Sequence, residues 1–394
     1  MRVSRIARVA RWIPAVALLL PCLLAPLNPD PARRIELDSA PFKFHFLNWE
    51  AQHLPDKLGS IARGLISPLS TDLSDAEVAQ AYFQMPQDQR EPLRDAAETA
   101  IERTIASVYA AGGATRPTPL GQRVFPPFII SLTPPPAILI VAPRNALVVQ
   151  QSVMLKTDLS LSQQEALEQS TESLSVSALV TPIGGIGASY PSMILEDASP
   201  RVTLRRAAHE WVHQYLFFSP LGQDYWRSQE AREINESAAD LVSVEVGDTA
   251  FAVLGLHDQS SPPGAAPTAT FNFQRFMRNT RAHVEQQLAT GRIDEAEAYM
   301  RARRDTLQQH GYDIRKVNQA FFAFYGSFAD GFGASPSDPT AELLRTLRAR
   351  SPSLGAFLAT LQRVTSLADL LAAANRCDQS LAAGTARCAA ASVS

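Results

Sequence analysis

Two histidines separated by three residues, in His209-Glu210-Trp211-Val212-His213, constrain this chain more than any other feature of its sequence. In a helix, residues four apart lie on one face, so both imidazoles can meet a single metal ion. A second box follows at Asn235-Glu236-Ser237-Ala238-Ala239-Asp240, inside an apolar-spaced run from Glu233 to Val246 that predicts another helix. A catalytic zinc takes three protein ligands and leaves one position open. Glu236 is the expected third ligand. Asp240, four residues on and on the same helical face, is placed to accept the second N–H of a ligand ring, that of His209, and so to fix its tautomer and orientation. Asn235 belongs to the same supporting layer. Trp211 and Val212 lie between the ligands and predict packing of the helix onto a core.

His-Glu-x-x-His with a downstream Asn-Glu-x-x-Ala-Asp resembles the gluzincins, the thermolysin-like branch of the zinc metallopeptidases, over the stretch Thr203 to Val246. A wider layout, with Tyr190-Pro191-Ser192 ahead of the site and Asn318-Gln319-Ala320 to Tyr325-Gly326 after it, is similar to bacterial membrane-anchored members with no assigned function. The resemblance implies an α+β, zincin-like metallopeptidase fold, dominated by helix with a small mixed sheet ahead of the active-site helix. It implies Zn²⁺ held by His209, His213 and Glu236. Glu210 is then the general base, taking a proton from the attacking water and passing it to the leaving amine. Metzincins require Gly and His at the third and sixth positions after the second ligand, where this chain has Leu216 and Ser219. Site-2 membrane proteases carry the motif within a membrane helix, whereas Arg205, Arg206 and Gln214 flank it here.

Thermolysin-like enzymes also supply a His or Tyr from outside the motif to donate to the oxyanion. Tyr325, in the aromatic run Phe321 to Phe328, is the first choice, with His310, Tyr225 and Tyr190 as the others. Tyr190 is also assigned to the substrate cleft. The expected partner is a peptide or protein. A five-residue motif also arises by accident on amphipathic helices. The competing reading is therefore a catalytically inactive zincin-fold module that binds peptide or envelope material. A structural zinc site is normally closed by four protein ligands, and the three found here favour catalysis. The motif does not separate a peptide from another amide.

The 394 residues carry 36 Lys+Arg against 39 Asp+Glu, and a net charge of -3 excludes the strongly basic field that nucleic acid requires. Residues 1–27 read as a membrane anchor or signal segment: Arg2, Arg5, Arg8 and Arg11 precede an apolar run from Trp12 to Leu27. No small-x-small cleavage site follows, which favours an uncleaved anchor with the bulk of the chain outside the cytoplasm, against secretion after cleavage. Leu19-Leu20-Pro21 lacks the small residue expected before a lipidated Cys22. Cys377 and Cys388 either close a small loop or remain free thiols.

Past the anchor, residues 28–116 read as a linker, Asn28 to Asp38, and an N-terminal helical region. Alternation at Phe42, Phe44 and Phe46 predicts a short strand. Helices are expected over Ser74–Met85, with Ser74 and Glu77 as a capping box, and over Gln89–Ala111, capped by Asp88. Residues 117–257 form the expected catalytic core. Its strands are predicted at 128–130, 137–141, 178–180 and 192–195, the last two flanking Gly184-Gly185-Ile186-Gly187. Those glycines mark either a free strand edge open to an extended substrate or a turn between buried strands. Asp258 to Thr270 reads as a lid or a linker. Residues 271–376 form a helical lobe with helices near 272–289, 293–309, 313–329, 339–350 and 354–361, and 377–394 a flexible tail.

Overall fold

The computed structural model describes residues 30–66, 73–118, 121–197, 199–258, 271–326, 335 and 338–382. It divides into a short unit, 1–41, and a large one, 42–394. In the short unit, Pro31–Ser39 forms helix α1 where the sequence predicts a linker. Pro31 stands in the first turn, where its missing N–H would have had no helical partner. Everything that follows concerns the large unit. The apolar run Trp12–Leu27 lies outside the described residues, among which no helix is long and apolar enough to cross a membrane.

The predicted strand at Phe42–Phe46 shrinks to one bridge, Lys43 opposite Leu155, with the Phe44 N–H donating to Met154 O at 3.0 Å. The His45 carbonyl then collects the amides of Asn48 and Trp49, both at 3.1 Å, and the chain turns into helix α2, Phe46–Ile66. Helix α3, Asp75–Gln84, carries the expected capping box: Ser74 accepts from the Glu77 amide, and Glu77 accepts from the Ser74 amide at 2.7 Å. Helix α4, Arg94–Ala111, starts later than predicted. Pro86 precedes and Pro92 falls within a pair of 3₁₀ turns, Gln87–Gln89 and Glu91–Leu93, so Leu93 and not Asp88 is its N-cap.

A hairpin, β1 Arg116–Thr118 and β2 Gly121–Arg123, leads to β3 Ile130–Ser131, β4 Ala137–Pro143 and β5 Gln151–Leu155. After α5, Leu161–Glu172, come β6 Val176–Pro182, β7 Gly185–Ile186 and β8 Ser192–Ile194. The strands make two three-stranded sheets beside the hairpin: β5-β4-β6, antiparallel, and β3-β8-β7, parallel at β3/β8 and antiparallel at β8/β7. Next come α6 Pro200–Leu216, a single turn Pro220–Gln223, and α7 Gln229–Val253. The predicted lid or linker lies outside the described residues beyond Asp258. The chain closes with α8 Phe273–Ala289, α9 Ile293–Gln309, α10 Gln319–Tyr325, α11 Thr340–Arg350, α12 Leu354–Leu361 and α13 Leu367–Ala382. The fold is helix-rich α+β with small sheets, as expected. Residues 377–382 continue a helix where a flexible tail is predicted. Cys22 and Cys388 lie outside the described residues, and the Cys377–Cys388 alternative with them.

Two apolar cores divide these elements. One joins α3, α4, α6, α7 and α11 to α13 around Tyr82, Tyr109, Trp211 and Phe357. The other packs α8, α9 and α10 against the face of β4 and β6 that carries Ile138, Ile140 and Leu179. The helices expected as one lobe over 271–376 are therefore shared between two cores. Helix α6 is fixed from its apolar side. Tyr109 donates to Ala208 O at 2.8 Å and packs its ring 4.1 Å from that of Trp211, whose indole N–H reaches Pro126 O at 2.8 Å.

Buried carboxylates tie helices to strands. On α4, Glu102 and Glu98 accept the amides of Ile130 and Leu132 at 2.9 and 2.7 Å. On α5, Glu168 accepts the Val180 amide at 2.7 Å and bonds Arg315 and Lys316. These contacts hold 312–317 out of the helix predicted from Asp313, and Asn318 caps α10 by accepting from Phe321 N at 2.9 Å. Burial alone would raise the Glu168 pKa, but the bonds from Arg315 and the charge of Lys316 hold it below the ordinary 4.5. A depressed folded value contributes stability that is present above the unfolded pKa and lost as pH falls through the folded one. Glu168→Gln is expected to cost about 1–3 kcal/mol at neutral pH in urea unfolding. The gap from wild type should shrink once the pH drops below 4.5, and a pH-independent gap would show that the charge is not the cause.

Candidate metal centre

Helices α6 and α7 pack side by side and bring together residues that are 22 or more apart in sequence. His209, His213 and Glu236 are the one group of three or more possible ligands found among the described residues, with their donor atoms all within 4.8 Å of one another. The Nε2 atoms of His209 and His213 are 3.0 Å apart. Glu236 Oε2 lies 3.2 Å from the first and 3.6 Å from the second. Ligand bonds of about 2.0–2.2 Å at tetrahedral angles give edges of about 3.3–3.6 Å, so the triangle is close to the size of a zinc face.

The outer nitrogens explain why this triangle attracts a cation. His209 Nδ1 lies 3.0 Å from Asp240 Oδ1, and His213 Nδ1 lies 2.8 Å from Asn235 Oδ1. Both oxygens accept, so each Nδ1 carries the proton and each Nε2 presents a lone pair inward. Lone pairs of two rings and a carboxylate oxygen facing one another repel unless a positive charge sits among them. A proton on a ring answers the same demand for positive charge. Burial disfavours a charged His209, but bonds to Asp240 and Glu236 outweigh it and hold the ring well above its ordinary pKa. Burial likewise pushes Glu236 up, yet the charge on His213 and the ring hydrogen bonds hold it well below 4.5. Donors and spacing fit Zn²⁺. Removing the Asp240 contact should weaken the set without dismantling it: Asp240→Ala is expected to lower zinc affinity about 10- to 100-fold in a chelator competition titration. An unchanged affinity would deny Asp240 its orienting role.

The Glu210 carboxylate lies against the glycine segment. Burial raises its pKa above 4.5, partly countered by His209 and His213, and the Gly187 amide donates to its carboxylate. The glycine segment is shaped by this helix. A Cβ on Gly185 would lie 2.4 Å from Glu210 Oε1, and one on Gly187 would lie 2.4 Å from Glu210 O. β7 is the last strand of its sheet, with β8 on its paired edge. The glycines serve close approach to the helix itself.

No family model, curated protein or solved structure matches the chain.

The sequence candidates for an electrophilic donor are placed unequally. Tyr325, the first choice, hydrogen-bonds Thr181 Oγ1 at 3.2 Å and faces β6; its neighbour Phe324 lines the cleft instead. Adjacent helical residues point about 100° apart, which separates the two. Tyr190 is not a cleft residue either: its hydroxyl donates to Pro127 O at 3.2 Å and its amide to Glu50 at 3.1 Å. His310 stacks on Phe271, with ring centroids 4.0 Å apart. Tyr225 is at the site. Its hydroxyl donates to Glu236 Oε1, its ring lies 5.9 Å from that of His213, and burial with the Glu236 charge holds its pKa well above 10. The signal for ranking it first was connectivity. Only residues 217–228 join the two ligand helices, so that loop has to pass close to the metal ligands. Phe217, Phe218 and Trp226 of the same loop went unread in the sequence.

Proposed function

We propose that the chain is a zinc-dependent peptide-bond hydrolase of gluzincin type on a zincin-like fold. The observation that carries this reading is the convergence of three possible ligand atoms, from His209, His213 and Glu236, beside the separate buried carboxylate of Glu210 in one cavity. Three protein ligands suit a catalytic ion, since a structural zinc is normally closed by four. Zinc at this site would polarise the scissile carbonyl and acidify a water towards a pKa of about 7.

The chain's own residues supply the rest. An extended substrate aligns along the free edge of β7 by backbone hydrogen bonds. Glu210, held by the Gly187 amide, takes the proton of the attacking water and delivers it to the leaving nitrogen. Tyr225 donates to the oxygen on which charge develops. Asp240 and Asn235 keep both rings turned inward. The Arg-flanked apolar segment 12–27 supports a membrane tether with the hydrolase outside the cytoplasm.

The test combines metal analysis of the purified chain with hydrolysis of a mixed peptide library, with and without chelator. One bound zinc and chelator-sensitive cleavage are expected. Bound zinc with no cleavage across the library would favour the binding module instead.

A further inference from the structure

The cleft beside the metal ligands opens into a cavity of about 1090 Å³, above the range of roughly 300–1,000 Å³ that encloses small ligands. One wall is the part of the β4 and β5 face left beside the α8 to α10 packing: Ile138 and Ile140 stand opposite Met154 and Ser152 in the sheet register, with Val149 and Phe324 also lining the cavity. This wall is apolar apart from the Ser152 hydroxyl. Its central strand also has no backbone to offer. β4 is the central strand, and from Ala137 to Val141 it is paired on one edge with β5 and on the other with β6. A peptide laid across it would leave its own N–H and C=O groups without partners, at a cost that an alkyl chain does not incur.

The mouth points the same way. Phe217, Phe218 and Trp226 line the cavity yet are 60%, 70% and 60% exposed. The Arg232 guanidinium lies over the rings of Tyr225 and Trp226, 5.5 and 5.6 Å from their centroids. Exposed aromatics with arginine among them suit a ligand that arrives from a lipid–water boundary.

We propose that this chamber holds the long unbranched acyl chain of an amide substrate whose head lies at the metal ligands. This rests on the hydrolase reading and names its substrate class: peptides or amines acylated by a fatty chain. The scissile amide is placed at His209, His213 and Glu236, the polar remainder runs along β7, and the alkyl chain extends toward Ile138 and Met154.

The test measures binding, so that it does not depend on turnover. Full-length protein in chelator is titrated calorimetrically with N-acyl dipeptides from butanoyl to tetradecanoyl, all below their micelle concentrations. Affinity is expected to rise about three- to four-fold for each added methylene, then level off when the chamber is full. Ser152→Trp, on an edge strand with its side chain in the cavity, should move the plateau to shorter chains. If that variant does not fold, Met154→Ala, which enlarges the chamber, should move it to longer ones. Affinity independent of chain length overturns the proposal. So does a plateau that neither variant moves, or equal affinity for unacylated peptides with bulky apolar side chains. If the chain-length series behaves as expected but no acylated or plain peptide is cleaved, the hydrolase reading fails while the chamber assignment stands.

Discussion

Glu210→Gln is expected to reduce turnover about 10²- to 10⁴-fold while the bound zinc stays at wild-type stoichiometry. Gln matches the volume of Glu and can still accept from the Gly187 amide, but it cannot hold a proton in transit. The ligand rings take their hydrogen-bonded supports from Asp240 and Asn235, and the Glu210 charge is one of the smaller influences on them, so metal loading should change little. The substitution thus separates proton transfer from metal binding, which His213→Ala could not do. Single-turnover rates on a cleaved library peptide, with zinc content measured on the same sample, decide the matter. Undiminished turnover would remove Glu210 from the mechanism. Loss of zinc would recast it as a residue that shapes the site.

Which parts of this site were legible in the sequence follows from the range of the interactions involved. The spacing of His209 and His213, and that of Glu236 and Asp240, is local helical geometry, and four-residue steps translate directly into one face. The Ser74 and Glu77 cap was legible for the same reason, since the box depends on three residues of separation, whereas the Asp88 cap fell to the 3₁₀ turns that follow it. So were helices with clean periodicity, such as Ile293–Gln309, whose ends match to the residue. Interactions across the fold were not. Phe42, Phe44 and Phe46 do alternate, but whether alternation becomes a strand depends on how much of β5 is available, and a single bridge, Lys43 with Leu155, forms there. The helix expected from Asp313 is shortened by Glu168, nearly 150 positions away, which holds Arg315 and Lys316. Tyr325 fails as a cleft residue through one step of helical rotation, which an aromatic run does not reveal.

Tyr225→Phe is expected to lower kcat about 10²- to 10³-fold at saturating zinc, with KM little changed. In the resting site the hydroxyl donates to Glu236 Oε1, leaving Oε2 to face both rings. Two roles are compatible with that contact, and they differ in what they move. If Tyr225 only steadied Glu236, its removal would weaken zinc binding about 10- to 100-fold, and excess zinc would restore the rate. If it donates to the substrate, excess zinc restores nothing, because the missing proton donor faces charge that appears only during attack. The second outcome is expected because a single hydroxyl proton goes to the stronger acceptor. Tyr325, Tyr190 and His310 are engaged elsewhere, so the developing oxyanion has no other donor among the four residues that sequence proposed, whereas Glu236 would keep the bound ion as its partner. A rate that recovers fully with added zinc would make Tyr225 a positioning residue, and the donor would then have to come from a backbone amide along β7.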